Sequence, residues 1–193
     1  MATGPEAALW GALAIADDGD GSWWTAGRGN ADPDRRGHVC LMFLWRISKH
    51  ADLEGRGGLL AAARWHSQGR AIVYLAESPA GALVEVLVHL ELEVASLPSH
   101  YRLLKAEAPR DLRVESALLE GLPSDWTRHL MASRNVGDEW LASGTSALLR
   151  VPSAILPETF NVLLNPEHPS AKQVRIVWHR EYPFDPRLVR RGR

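Results

Sequence analysis

One stretch constrains this chain more than any other: Arg70 to Leu92, RAIVYLAESPAGALVEVLVHLEL, an apolar run that halts at a serine-proline pair and resumes at helical spacing. Ala71 to Ala76 reads as a strand carrying one tyrosine, Tyr74. Ser78 can cap a helix and Pro79 can begin one, because the hydroxyl accepts an orphan N–H and proline lacks only a donor that the first turn does not use. From Pro79 to about Leu90 the side chains Leu83, Val84, Leu87, Val88 and Leu90 recur with helical period. Glu85 interrupts them. On a helical wheel it shares a small, polar side with Gly81, Ala82 and His89, a face that another group can approach closely.

At 193 residues the chain is long enough for one domain with a real core and too short for two comfortable ones. A formal net charge of -1 sets up no strong field for polyanions, so nucleic acid is not expected as a direct partner. The single cysteine, Cys40, excludes an internal disulfide and, lying in an apolar run, reads as a small buried thiol in a reducing cytoplasm. No apolar stretch reaches bilayer length, and Met1 to Ala16 lacks the basic start and long apolar core of a secretory signal, so neither membrane nor export is expected.

Residues 1–41 differ in texture from the rest. The polar, glycine-rich run from Asp17 (DDGDG) to Asp34 sustains neither period and reads as a loosely ordered extension, which Trp10, Trp23 and Trp24 could dock on the body or on another chain. Its acidic cluster lacks the alternating ligands and closing glutamate of a calcium loop. At the far end Arg187, Arg190, Arg191 and Arg193 make a basic, solvated tail over 183–193. Between them lies the body, 42–182. Val39 to Ile47 (VCLMFLWRI) suits a buried strand ending near Arg46, and a glycine-rich connection at Gly55, Gly57 and Gly58 leads through LLAAARWH to the Tyr74 strand. Strands are expected again at Tyr101 to Ala106, near Val114, at Ala147 to Val151, at Phe160 to Leu164 and at Gln173 to Glu181. A short helical piece from Pro123 to about Ser133 should break at Asn135-Val136-Gly137 and regain a turn over Asp138 to Ser143. Strands outnumber helices without regular alternation, which favours α+β over a doubly wound sheet.

Spacing sets several chemistries aside. The eight histidines never pair at metal-ligand spacing and no second cysteine exists, so no metal is expected. Neither a GxxxxGK phosphate loop nor a GxSxG elbow is present. What remains is Arg46, Arg64 beside Trp65, Tyr74, Glu85 and the polar residues after Trp140. Brought together, two arginines could clamp a diphosphate, an aromatic ring could stack on a planar base, and a carboxylate could stabilise a cationic sugar. Each has an ordinary structural alternative as well: a surface ion pair for Arg46, a core position for Tyr74, a water-facing carboxylate for Glu85.

LWRI at Leu44 to Ile47, ARWH at Ala63 to His66, VYLAESPAGALVEVLVH at Val73 to His89, GDEWLASG at Gly137 to Gly144, and LLRVPSAILPE with NVLLNPEHP together resemble the RES domain family over about residues 42–181. The resemblance implies an ADP-ribosyltransferase-like fold, with mixed and antiparallel strands flanked by short helices. It also implies an NAD-consuming activity, as in the toxins of bacterial RES/Xre toxin-antitoxin pairs. NAD would be the substrate, cleaved at the nicotinamide N-glycosidic bond by hydrolysis or phosphorolysis. ADP-ribosylation of a protein is the alternative chemistry, and a catalytically idle partner-binding module is the alternative class. The family's arginine, glutamate and serine correspond to Arg46, Glu85 and a serine near GDEW. Ser143 fits that place best, with Ser146 and Ser153 competing. By the same analogy Arg46 and Arg64 hold the phosphates, Tyr74 packs on the nicotinamide or its ribose, Glu85 serves the reacting sugar, and Ser143 binds or orients the substrate. Many family members carry paired glycines where this chain has Ala62-Ala63, and asparagine where it has His66. A helix-turn-helix Xre-like antitoxin is the implied partner, phosphate is a candidate co-substrate, and self-association stays open.

Overall fold

A computed structural model describes residues 40–89, 100–117, 121–185 and 188. Nearly all of the expected extension 1–41 and most of the tail 183–193 lie outside them. The centre is a seven-stranded sheet in the order β4-β5-β6-β2-β1-β3-β7. Its strands are β1 (Leu41–Ile47), β2 (Val73–Ala76), β3 (His100–Pro109), β4 (Val114–Ser116), β5 (Leu148–Pro152), β6 (Phe160–Leu164) and β7 (Arg175–Pro183). Every neighbouring pair is antiparallel except β4 with β5. Among the described residues three α-helices accompany it: α1 (Arg56–Leu60), α2 (Pro79–His89) and α3 (Leu130–Ser143). The fold is therefore α+β. No helix among the described residues is long and apolar enough to cross a membrane.

The central strands are covered on both faces, which is why ALLRV and FNVLL read as continuous apolar runs. Val73, Leu75, Leu148, Val162 and Leu164 join Leu44, Ala106 and Ala108 in one core cluster. Their neighbours of opposite parity, Leu149, Val151 and Leu163, join Trp65, Ile72, Trp126 and Trp140 in another. Each fully buried Leu or Val side chain contributes about 1.5–3 kcal/mol relative to exposure.

Three expectations need correction. Of β1 only Leu44 is buried, and Phe43 is 44 % exposed. Lys105 lies over it, its ammonium 3.6 Å from the Phe43 ring centre and 5.5 Å from that of Trp45. Cys40, expected buried, is exposed just ahead of β1. The third concerns Gly137, which does not break a helix: α3 runs unbroken through it. A side chain there would overlap the Trp65 carbonyl, so the glycine lets the helix backbone rest directly on that peptide.

The glycine-rich connection serves packing too. Gly55 adopts φ 69°, a left-handed conformation that favours glycine, and its carbonyl accepts from the N–H groups of Gly58 and Ile72. Ser78 caps α2 as the sequence predicts, its hydroxyl accepting the Gly81 N–H at 3.0 Å. The apolar side of α2 is covered only in part, since Leu83, Val84 and Leu87 are half-buried and Val88 is exposed.

Candidate active site

Strand pairing carries Trp45, Tyr74, Asn161 and Ser153, among others, to one face of the sheet. Trp45 lies opposite Ala76, Ala76 opposite Asn161, and Tyr74 opposite Leu163. Asn161 also pairs with Val151, two residues before Ser153, so Ser153 emerges on the same side. α2 follows β2 after a short turn and packs against β1 and β2. A cleft of about 670 Å³ opens between α2, the ends of β1 and β2, and the Ala62–Trp65 segment. Arg46, Arg64, Tyr74, Glu85 and Asn161 all line it.

Glu85 is held from two sides. Ser153 Oγ donates to its Oε1 at 2.8 Å and Asn161 Nδ2 donates to the same oxygen at 2.6 Å. Among the described residues Oε2 takes no hydrogen bond. Ser153 and Asn161 are both buried, so their geometry is set by packing. The Ser153 hydroxyl also accepts the N–H groups of Ile155 (3.2 Å) and Leu156 (3.3 Å), which directs its single proton at the carboxylate. A serine so committed orients Glu85 and is not an activated nucleophile.

Arg46 is the electrostatic counterpart. Its Nη1 is buried with no hydrogen-bond partner among the described residues. Burial lowers the pKa of the guanidinium from its ordinary value, with the charge of Asp52 working the other way. It remains a cation at neutral pH, and a desolvated charge with an unfilled donor is costly until an anion meets it.

Arg64 is less free. Its Nη1 donates to the Thr127 carbonyl at 2.9 Å, and the guanidinium lies 6.0 Å from the Trp126 ring centre, at the outer limit of a cation–π contact. Tyr74 presents its ring to the cleft, but its hydroxyl accepts the Trp65 N–H at 3.0 Å and meets His66 Nδ1 at 2.9 Å. Burial pushes its phenol pKa well up, so it stays protonated at neutral pH.

Ser143 is not brought to this group. It ends α3, its hydroxyl donating to the Trp140 carbonyl at 2.8 Å and lying 3.0 Å from Thr145 Oγ1. The competing Ser146 is buried and structural, accepting from Trp140 Nε1 at 2.9 Å and donating to the Leu148 carbonyl at 2.9 Å. Of the three serines it is Ser153 that touches Glu85. The GDEW segment that suggested Ser143 serves the scaffold: Gly137 rests on Trp65, Trp140 is core, and Asp138 accepts from the Ser67 N–H at 3.0 Å and forms an ion pair with Arg70, whose Nε lies 3.0 Å away. Burial works to raise the Asp138 pKa, but the Ser67 hydrogen bonds and the charges of Arg70 and His66 hold it below the usual carboxylate value.

Sequence reasoning missed Asn161. A lone amide inside the buried run FNVLL was the available signal, because a polar side chain in a doubly covered strand needs a partner.

The RES domain model matches residues 43–185. A "Toxin Res" of Pseudomonas putida is 47 % identical over 135 residues, spanning 70 % of this chain and 92 % of the relative. A "Prs ADP-ribosylating toxin" of Sphingobium sp. (strain YBL2) is 38 % identical over 158 residues, 77 % of this chain and 97 % of that protein. In fold the chain is similar to one in the crystal structure of the M. tuberculosis MbcT–MbcA toxin–antitoxin complex. That match has a TM-score of 0.60 at 20 % identity and covers 75 % of this chain and 86 % of the other. Matched by the family model over most of its length and aligned with relatives along nearly the whole of theirs, the chain belongs to the RES domain family.

Proposed function

We propose that this protein is the NAD-degrading toxin of a toxin–antitoxin pair, with Glu85 as the residue that stabilises the reacting sugar. One observation carries the reading: a carboxylate pinned on one oxygen by Ser153 and Asn161 lines the same cleft as Arg46, whose buried Nη1 has no acceptor among the described residues. NAD supplies the matching groups, a pyrophosphate for Arg46 and a ribose beside a positively charged nicotinamide for Glu85. The C–N bond breaks, its electron pair neutralises the pyridinium nitrogen, and positive charge develops on the ribose. A fixed carboxylate with Oε2 open to a ribose hydroxyl favours that charge more than it favours the ground state. Tyr74 then acts through its ring, as a wall for the base or sugar, and Arg64 reaches the phosphates only with the donors left over from Thr127. Ser153, not Ser143, takes the part of the family serine by orienting Glu85.

Water or phosphate as acceptor makes the enzyme a hydrolase or phosphorylase. The name of the Sphingobium relative favours the second reading, transfer of ADP-ribose to a protein. A cognate antitoxin, Xre-like in the resemblance, is proposed as the cytoplasmic partner that covers the cleft. The likeness to a chain crystallised in a toxin–antitoxin complex supports a partner of that kind.

Purified protein incubated with NAD, with and without phosphate, tests the reading, and labelled NAD in a lysate tests transfer. Expected are loss of NAD with wild type and persistence with a folded Glu85→Gln protein. NAD surviving equally with both, and no labelled band, would leave only an idle partner-binding module.

A further inference from the structure

The imidazole of His66 is 2 % exposed and takes no part in the chemistry above. Both of its nitrogens are committed. Nε2 faces the Ala61 carbonyl at 3.1 Å and Nδ1 faces the Tyr74 hydroxyl at 2.9 Å. A carbonyl can only accept, so Nε2 carries the proton and Nδ1 accepts from Tyr74 O–H. The Tyr74 oxygen in turn accepts the Trp65 N–H at 3.0 Å. Three hydrogen bonds thus tie the Ala61–Trp65 segment, which brings Arg64 to the cleft, to the Tyr74 wall of that same cleft.

This arrangement works only with a neutral ring. A proton on Nδ1 would replace the acceptor with a donor, compete with Trp65 N–H for the phenolic oxygen, and strand the Tyr74 proton in a buried site. Several groups face the ring. From α3, Asp138 favours the cation and Arg134 opposes it. From α1 and its end, the backbone carbonyls of Gly58 and Ala61 favour it, and β2 contributes the Tyr74 hydroxyl. Burial outweighs the favourable contributions, and the ring's pKa lies below its ordinary 6.5.

We propose that neutral His66 is a positioning residue, clamping the Ala61–Trp65 segment to Tyr74 in the geometry that NAD requires, and that acid releases the clamp. The proposal rests on the NAD reading for its kinetic consequence and on geometry alone for its structural one. It can be separated from a merely structural histidine by asparagine, whose Oδ1 places an acceptor near the Nδ1 position and gains no proton in the range where imidazole does.

The test is the pH dependence of kcat and KM for NAD loss in wild type, His66→Asn and His66→Ala, together with amide exchange at Trp65. Wild-type kcat/KM should fall as pH drops below 6.5, the ordinary imidazole value, approaching about tenfold per pH unit once the ring is protonated. His66→Asn should stay within about threefold of wild type near neutral pH and remain flat through that window, whereas His66→Ala should lose roughly tenfold or more, mostly through KM. An acid limb in His66→Asn equal to that of wild type, or a fully active His66→Ala, would overturn the proposal. Should His66→Ala not fold, His66→Asn decides. If wild type consumes no NAD at any pH, the functional reading fails, and the clamp is judged on Trp65. Protection lost in acid by wild type but kept by His66→Asn supports it, and equal protection sinks it.

Discussion

Two polar corners border the same cleft, and they differ in whether their hydrogen bonding closes. In the corner built on Trp65, donors and acceptors match. His66 is satisfied by Ala61 and Tyr74, Tyr74 by Trp65, Asp138 by Ser67 and Arg70, and Ser133 by the Arg64 and Leu130 carbonyls. In the corner built on Glu85, two buried donors converge on one carboxylate oxygen, and among the described residues Arg46 Nη1 has no acceptor. A closed network needs no ligand and holds the walls, whereas an open one carries a desolvation cost that a ligand can remove.

The comparison can be broken most sharply at Glu85. Glu85→Gln keeps an acceptor for Ser153 and Asn161, so the thermal midpoint should move little, while NAD turnover drops by about 10²–10³, roughly 3–4 kcal/mol of transition-state stabilisation. A turnover number within threefold of wild type would remove Glu85 from the chemistry. On the closed side, Gly137→Ala forces a methyl group into the Trp65 carbonyl. Because backbone on both sides must give way, denaturant titration should show a loss of roughly 3 kcal/mol or more.

Arg46→Met separates affinity from stability. Removing a charge whose buried Nη1 has no acceptor among the described residues should leave stability equal or higher, while KM for NAD rises about 10- to 100-fold. A clear fall in thermal midpoint with unchanged KM would make Arg46 structural. Asp138→Asn sharpens the closed side through pH. The folded carboxyl titrates below its usual 3.8, so its stabilisation is present above that value and disappears as pH falls through the lower folded one. The variant should be about 1–2 kcal/mol less stable near neutral pH and flatter across that acid window, as read by unfolding curves at several pH values. Smallest of all is Ser143→Ala, expected to keep NAD turnover within about twofold and to cost under ~1 kcal/mol at the end of α3. A hundredfold loss there would return the family serine to Ser143.

Much of the architecture was legible from local pattern. β6 begins and ends where its apolar run does, Ser78-Pro79 starts α2, and the excess of strands over helices gave α+β correctly. Where the pattern misled, a distant segment had changed the meaning of a residue. Gly137 looks like a helix breaker in isolation and becomes a contact point only when Trp65 lies beneath it. Cys40 and most of β1 look buried by composition, yet burial depends on what covers the strand, and Lys105 covers Phe43 and Trp45 with a cation.

The site divides the same way. Arg46, Glu85, Tyr74 and Arg64 stand out in the chain through the motifs that resemble the RES family, since each alone has an ordinary structural alternative, and all four line one cleft. The choice among Ser143, Ser146 and Ser153 could not be made locally, since all three are serines near the ends of regular elements. Ser153 and Asn161 stand 68 and 76 residues from Glu85 along the chain, and only antiparallel pairing of β6 with β5 and β2 brings the Asn161 amide and the Ser153 hydroxyl together at Glu85. By itself, the order of residues determined most of the elements and the polar and aromatic groups they carry. Which of those groups meet, and which keep a hydrogen bond unfilled, was decided by strand register, because a shift of one residue would turn Asn161 to the opposite face.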